Sequence, residues 1–245
     1  GRRGEGGGGG GGAEGDVLDR VNVRLLEAQP GDTGWEVFSL DYAIDGPACA
    51  VVHPKALVRY RRAFHLLWRV KRAEWALSGG WRDQTAAQHA GVLRHLPELR
   101  SVFHSCALAR ARMLHLAGNL SNYLMFEVLE VAWARLEAAL AKARDLDGVV
   151  AAHDAYLDSI MEKALLRPEG TGGAGGGRLM QQLLSLLDIT VQFCNTQEAV
   201  FADALAEVGR RRKAEEAIAL RTSQGKWGVT EGGPGGGGGA AAAAA

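Results

Sequence analysis

The sequence predicts a mainly α-helical protein, an elongated helical bundle with a short strand pair near its N-terminal side. Three observations carry that expectation. Apolar side chains recur at three- and four-residue steps through most of residues 54–220, the period of one helix face. Alternation of apolar and polar residues, the strand period, marks residues 35–52 around a turn signal. Start and stop signals then cut the remainder into four or five helical segments.

In chain order, Val37, Leu40, Tyr42 and Ile44 precede Asp45-Gly46-Pro47, which reads as a short strand pair or an extended arm about a turn. His53-Pro54 starts the first helix, because proline suits a first helical turn and pushes the residue before it into extended backbone. Leu57, Tyr60, Phe64, Leu67, Lys71 and Trp75 mark one face of it, with Trp68 beside them, and Ser78-Gly79-Gly80 is its expected stop. A short helix is expected over 83–95. Pro97-Glu98 opens a longer one carrying Leu99, Phe103, Cys106, Arg110, Met113, Ala117, Leu120, Leu124, Val128 and Val131, in which Gly118-Asn119 is a candidate bend. Asp147-Gly148 starts a helix over 148–166 with Val149, Ala152, Tyr156, Ile160 and Leu165, closed by Arg167-Pro168. The last helix, from about 178 to about 220, carries Leu179, Leu183, Leu187, Val191, Cys194, Phe201, Leu205 and Val208.

The 245-residue chain balances 28 basic against 28 acidic residues, which removes the simplest case for nucleic-acid binding by the whole chain but leaves room for a local basic patch. Of its 34 glycines, ten fall in 1–15, six in 170–177 and seven in 232–239, ahead of six terminal alanines. Such runs lack the apolar side chains that offset the entropy of ordering. Residues 1–16 and 231–245 therefore read as disordered tails, and 170–177 as a flexible insert in a helical domain spanning 17–230. Cys49, Cys106 and Cys194 form no C-x-x-C pair, which disfavours a disulfide framework or zinc finger and suits a reducing compartment. No run of apolar residues is long enough to span a membrane. Gly1 is not methionine, as expected of a fragment of a longer chain.

The sequence carries none of the usual catalytic or metal-binding constellations. The glycine run 172–177 lacks the following Gly-Lys-Ser/Thr, and Gly225-Lys226 is followed by Trp227, so no phosphate loop is expected. His104 and His115 lie three helical turns apart, roughly 16 Å, too far to hold one metal. Neither His-Glu-x-x-His nor Glu-x-x-His occurs among the seven histidines. Glu127 and Glu130 share a helix face, a spacing open to acid–base work but better explained as a structural pair. Cys106 and Cys194 fall on core stripes as small apolar groups. No catalytic residue, cofactor, metal or small-molecule substrate is expected. The remaining feature is a basic helix: Lys55, Arg59, Arg61, Arg62, Arg69, Lys71 and Arg72 precede any carboxylate until Glu74. Either their stems cover apolar surface beneath a solvated face, or they form a docking surface for an acidic partner, protein ahead of nucleic acid or membrane.

Several ordered segments together resemble the gamma-tubulin complex component family. They are Val23–Glu27, Pro30–Tyr42, Asp45–Pro47, Tyr60, Phe64, Leu67–Glu74, Met113–His115, Asn122–Glu130, Asp145–Asp147 and Ala151–Asp158. Gln224–Thr230 looks most like the component 3 type. The resemblance implies the C-terminal, gamma-tubulin-binding region of a helical scaffold whose partners are gamma-tubulin and other gamma-tubulin complex components, with no catalysis by this chain. It implies a place in the cytoskeleton of the cytoplasm, at microtubule-organising centres and spindle poles. Arg59, Arg62, Arg69 and Arg72 are the candidate gamma-tubulin contacts. The alternative is a nucleic-acid- or anionic-lipid-binding module using the basic helix over 55–72. The family's N-terminal half is missing, and the resemblance stops at Thr230, where relatives continue through further helices. A fragment, a mis-predicted gene product and a truncated paralogue are all consistent with that pattern.

Overall fold

The computed structural model describes residues 19–30, 33–89, 92–167 and 176–225. The expected tails at 1–16 and 231–245, residues 170–175 of the insert, and residues 226–230 of the terminal motif lie outside the described residues.

Strands β1 (Val21–Leu25) and β2 (Phe38–Tyr42) form a two-stranded antiparallel ribbon in which Val21 faces Tyr42 and Leu25 faces Phe38. The connection carries the single turn α1 (Gly34–Val37), whose Thr33 amide donates to the Glu36 carboxylate at 2.8 Å, half of a capping box. The alternation over 38–42 is real, but its partner lies upstream. Asp45-Gly46-Pro47 does not turn the ribbon; Gly46, at φ +66°, leads into a 3₁₀ turn over Gly46–Ala50. A two-stranded ribbon is marginal by itself, and this one is held by packing on the helix that follows.

That helix, α2 (Pro54–His89), has 36 residues and does not stop at Ser78-Gly79-Gly80. Neither glycine adopts left-handed backbone. Two interior glycines cost about 1 kcal/mol each in propensity, yet contacts on both sides hold the helix on course: Leu77 is fully buried and Gln84 is 8% exposed. The separate helix expected over 83–95 resolves into the end of α2 and a short α3 (Val92–His95). The buried stripe of α2 also differs from expectation. Leu66, Val70, Ala73 and Leu77 face the core, whereas of the expected series Leu57, Tyr60, Phe64, Leu67, Lys71 and Trp75, with Trp68, Leu67 packs against the main core cluster but none is among its buried members. Phe64, Trp68 and Trp75 are taken up by the ribbon and α1. The helix is thus apolar on two sides.

A 3₁₀ turn at Pro97–Leu99 leads into α4 (Arg100–Asn122), a π-helical stretch (Tyr123–Glu130) and α5 (Val131–Leu140). Gly118-Asn119 leaves α4 uninterrupted; the irregularity lies at 123–130. Buried positions explain it. They step by seven from Phe103 through Arg110 to Ala117, continue with Ser121 and Leu124, then step by four through Val128, Ala132 and Leu136. Four-residue steps drift about 40° per turn on an ideal helix, and the wider π turns keep Leu124 and Val128 facing the core. The one polar member of the predicted stripe, Arg110, is 3% exposed: its Nη1 donates to Gln84 Oε1 at 2.6 Å and its guanidinium lies against Gly80. Cys194 is buried as expected, but Cys106 is only half-buried.

Helix α6 (Leu146–Lys163) begins two residues before the expected start, capped by Asp145, whose carboxylate accepts from the Gly148 amide at 2.8 Å. It ends before Arg167-Pro168, in a Schellman-type turn. Leu165 takes φ +59°, its amide donates to Glu162 at 3.1 Å, and the Leu166 amide donates to Met161 at 2.8 Å. Helix α7 (Gly176–Ser223) runs 48 residues, so the last two glycines of the expected insert are helical. The core is a row of three clusters: Leu66, Val128, Ile160 and Leu187 at one end, Leu77, Ala117 and Cys194 in the middle, and Leu96, Phe103 and Ala204 at the other. Helix α4 and its continuation therefore run antiparallel to α2 and α7.

Candidate binding surface of the basic helix

The placement of the basic residues follows from how α2 is gripped. Trp35 lies 4.6 Å from Trp68 and 5.8 Å from Trp75 between ring centroids, and Phe38 lies 4.8 Å from Trp68. The Trp68 indole donates to the Trp35 carbonyl at 3.1 Å, so the aromatic contact is registered as well as apolar. With ribbon and core on two sides, the cations of α2 emerge along the strips between them.

Three of the four predicted contact residues, Arg62, Arg69 and Arg72, line one groove of about 430 Å³ with Trp35, His65 and Trp68. Arg72 pairs with Glu36 of α1, and Arg69 Nη1 lies 3.9 Å from Asp188 of α7. Arg62 is exposed and has no carboxylate partner among the described residues. Burial, and then the nearby Arg69 and Arg61, lower the pKa of His65, keeping it neutral in this cationic setting. Arg59 is not part of the groove. Its Nη1 lies 3.5 Å from Asp154 and 3.2 Å from Asp158 of α6. Beside it the Tyr60 hydroxyl and His153 Nε2 are 2.9 Å apart. Burial pushes Tyr60 up to about 12 and lowers His153, so Tyr60 donates and neutral His153 accepts.

The carboxylates that meet these cations were missed by sequence reasoning. Glu36 carried a signal, the Thr33-x-x-Glu36 capping box. Asp154, Asp158 and Asp188 carried none, because their pairing depends on which helices pack together. Elsewhere on α2, Lys71 pairs with Glu74 at 2.7 Å, while Arg61 Nε donates to the Leu57 carbonyl at 3.4 Å. Glu127 and Glu130 are both exposed on the helix surface. Among the described residues no group of three or more His, Cys, Asp or Glu is placed to hold a metal ion, and no helix is long and apolar enough to cross a membrane. Arg59, Arg69 and Arg72 are thus fixed in position by carboxylates on other elements.

Residues 12–226 match the family described as gamma tubulin complex component C-terminal. The chain is 41% identical over 215 residues to the gamma-tubulin complex component 3 homolog of Xenopus laevis, covering 88% of this chain and 23% of that protein. It is 39% identical to gamma-tubulin complex component 3 of Homo sapiens, with the same coverage of 88% and 23%. It is 34% identical over 192 residues to the spindle pole body component alp6 of Schizosaccharomyces pombe, covering 76% of this chain and 22% of that protein. The chain thus spans about a quarter of the length of the curated relatives it matches.

Proposed function

The chain belongs to the gamma-tubulin complex component family, and from that premise we propose that it is a non-enzymatic scaffold segment that binds gamma-tubulin within a gamma-tubulin complex and so supports microtubule nucleation. The observation that carries this reading is the family match across 12–226. The names of the relatives, gamma-tubulin complex components and a spindle pole body component, support the remaining partners as other components of that complex. They also support a location in the cytoskeleton, at microtubule-organising centres. The mechanism is positional. A scaffold that holds subunits at fixed spacing replaces a slow multi-body encounter with addition at high effective concentration.

Within this reading the gamma-tubulin contact uses the groove of Arg62, Arg69 and Arg72, with Arg62 as the most available cation. Arg59 contributes by holding α2 to α6. The test is co-purification of the chain with gamma-tubulin. Arg62→Glu should reduce retention at least tenfold with the thermal midpoint unchanged, because an exposed cation with no internal partner adds little to folding. Arg59→Glu should lower the midpoint instead, by placing a third carboxylate beside Asp154 and Asp158. A folded chain that never retains gamma-tubulin removes the proposal; retention unaffected by Arg62→Glu removes the groove from it. The internal pairing of Arg59, Arg69, Lys71 and Arg72 leaves Lys55, Arg61 and Arg62 as the cations of 55–72 without a carboxylate partner among the described residues, which weakens a nucleic-acid or lipid reading of the whole basic run.

A further inference from the structure

A second surface lies around the π-helical stretch, across α2 from the groove. Met125, Phe126 and Trp133 are 46%, 59% and 52% exposed. With Leu129, Glu130 and Tyr156 they border a shallow depression of about 560 Å³ that Lys71, Ser121 and Asn122 also line. Trp133 is held in place by Tyr156, at 6.3 Å between ring centroids and 79° between planes. Large apolar side chains gathered on a surface mark interaction sites, and Trp, Phe and Met are the types enriched there. A π-helical stretch is itself frequent at functional positions. Here it turns the neighbouring residues Met125 and Phe126 outward together.

The charges indicate what this surface accepts. Lys71 is neutralised by Glu74 at 2.7 Å. Glu130 has no cation partner among the described residues. One negative charge therefore remains uncompensated beside an exposed indole, an arrangement that suits a guanidinium stacked over the ring and paired with the carboxylate. We infer that this surface docks a basic segment of another protein, an arginine flanked by a large apolar side chain. The arginine sits over Trp133 against Glu130, and the apolar neighbour fills the space between Met125 and Phe126. This inference does not rest on the gamma-tubulin contact proposed for the groove.

The chain has four methionines, Met113, Met125, Met161 and Met180, so methyl NMR of the full chain labelled at methionine reads the site directly. The probes are the peptide acetyl-Leu-Arg-Ala-Leu-Arg-amide and its counterpart with glutamate in place of arginine. The arginine peptide should shift the Met125 methyl saturably and leave buried Met161 in place, and the glutamate peptide should do neither. Glu130→Lys and Trp133→Ala should each weaken binding at least tenfold, with an unmoved Met161 signal reporting an intact fold. Because Glu130 is exposed, its variant decides the matter if Trp133→Ala disturbs folding. The inference is overturned if Met125 does not respond, if both peptides shift it equally, or if Glu130→Lys binds as before. It is also overturned if the shift follows protein concentration without peptide, which assigns the patch to a second copy of the chain.

Discussion

His153 shows how single side chains couple helices in this fold. It is 6% exposed, accepts from Tyr60 across α2 and α6, and sits beside the cluster of His53, Arg59 and Asp154. Burial lowers its pKa against the opposing pull of Asp154, and His65 is shifted in the same direction. Between their folded pKa values and the ordinary value near 6.5, the unfolded chain binds more protons than the folded one. Stability therefore rises with pH across that interval and falls on acidification through it. The urea midpoint should drop between about pH 7.5 and pH 5.5, and His153→Gln should flatten that slope. A midpoint constant over the range, or an unaltered slope in the variant, would contradict the assignment. Arg110 follows a related logic. Its burial is tolerated because Gln84 accepts from it and Gly80 leaves room for the guanidinium beside α2.

Among the elements, periodicity read well and termination read poorly. The long helices were legible because their apolar residues repeat over many turns, and the β2 alternation was legible for the same reason. The end of α2 was not, since Ser78-Gly79-Gly80 is a strong local stop that only the packing of Leu77 and Gln84 overrides. The ribbon partner was missed although Val21, Val23 and Leu25 alternate with Asn22 and Arg24, because the five-residue run is exposed along its length and has no buried face to pin it to a partner. The basic residues of the candidate site were visible at once, but the carboxylates that fix them come from α1, α6 and α7 and follow from tertiary packing. Two glycine substitutions separate local from tertiary control. At Gly79 an added Cβ meets nothing within 4 Å, so Gly79→Ala should stabilise the chain by about 0.5–1 kcal/mol through helix propensity. At Gly148 the added Cβ would lie 2.8 Å from the capping Asp145 oxygen. Gly148→Ala should therefore cost about 1 kcal/mol or more by displacing the cap. Chemical denaturation of the two variants reads both signs, and a destabilised Gly79→Ala would show that α2 needs flexibility there.

At the scale of the whole molecule, the three core clusters are unequal. The one around Leu66, Val128, Ile160 and Leu187 gathers ten buried residues, while the middle and far clusters hold three each. Opening should therefore begin at the far end. Amides of 92–105 and 201–210 should exchange with solvent faster than those of 63–73 and 124–136, and uniform protection along the bundle would contradict this gradient. The same end carries the last described anchor of α7, where Arg211 reaches Glu98 at 2.7 Å and the His95 carbonyl at 3.0 Å. From Arg212 to Ser223 every residue is exposed. At 1.5 Å per residue α7 is a rod of about 70 Å, and it extends about 18 Å past that anchor to Ser223. Such a rod is a lever: a tilt of about 5° about its root among Leu183, Leu187 and Val191 would swing the tip, about 54 Å away, by about 5 Å. Small repacking around Leu187 would thus be magnified at the far end, which makes the largest core cluster the pivot for the angular aim of the longest helix.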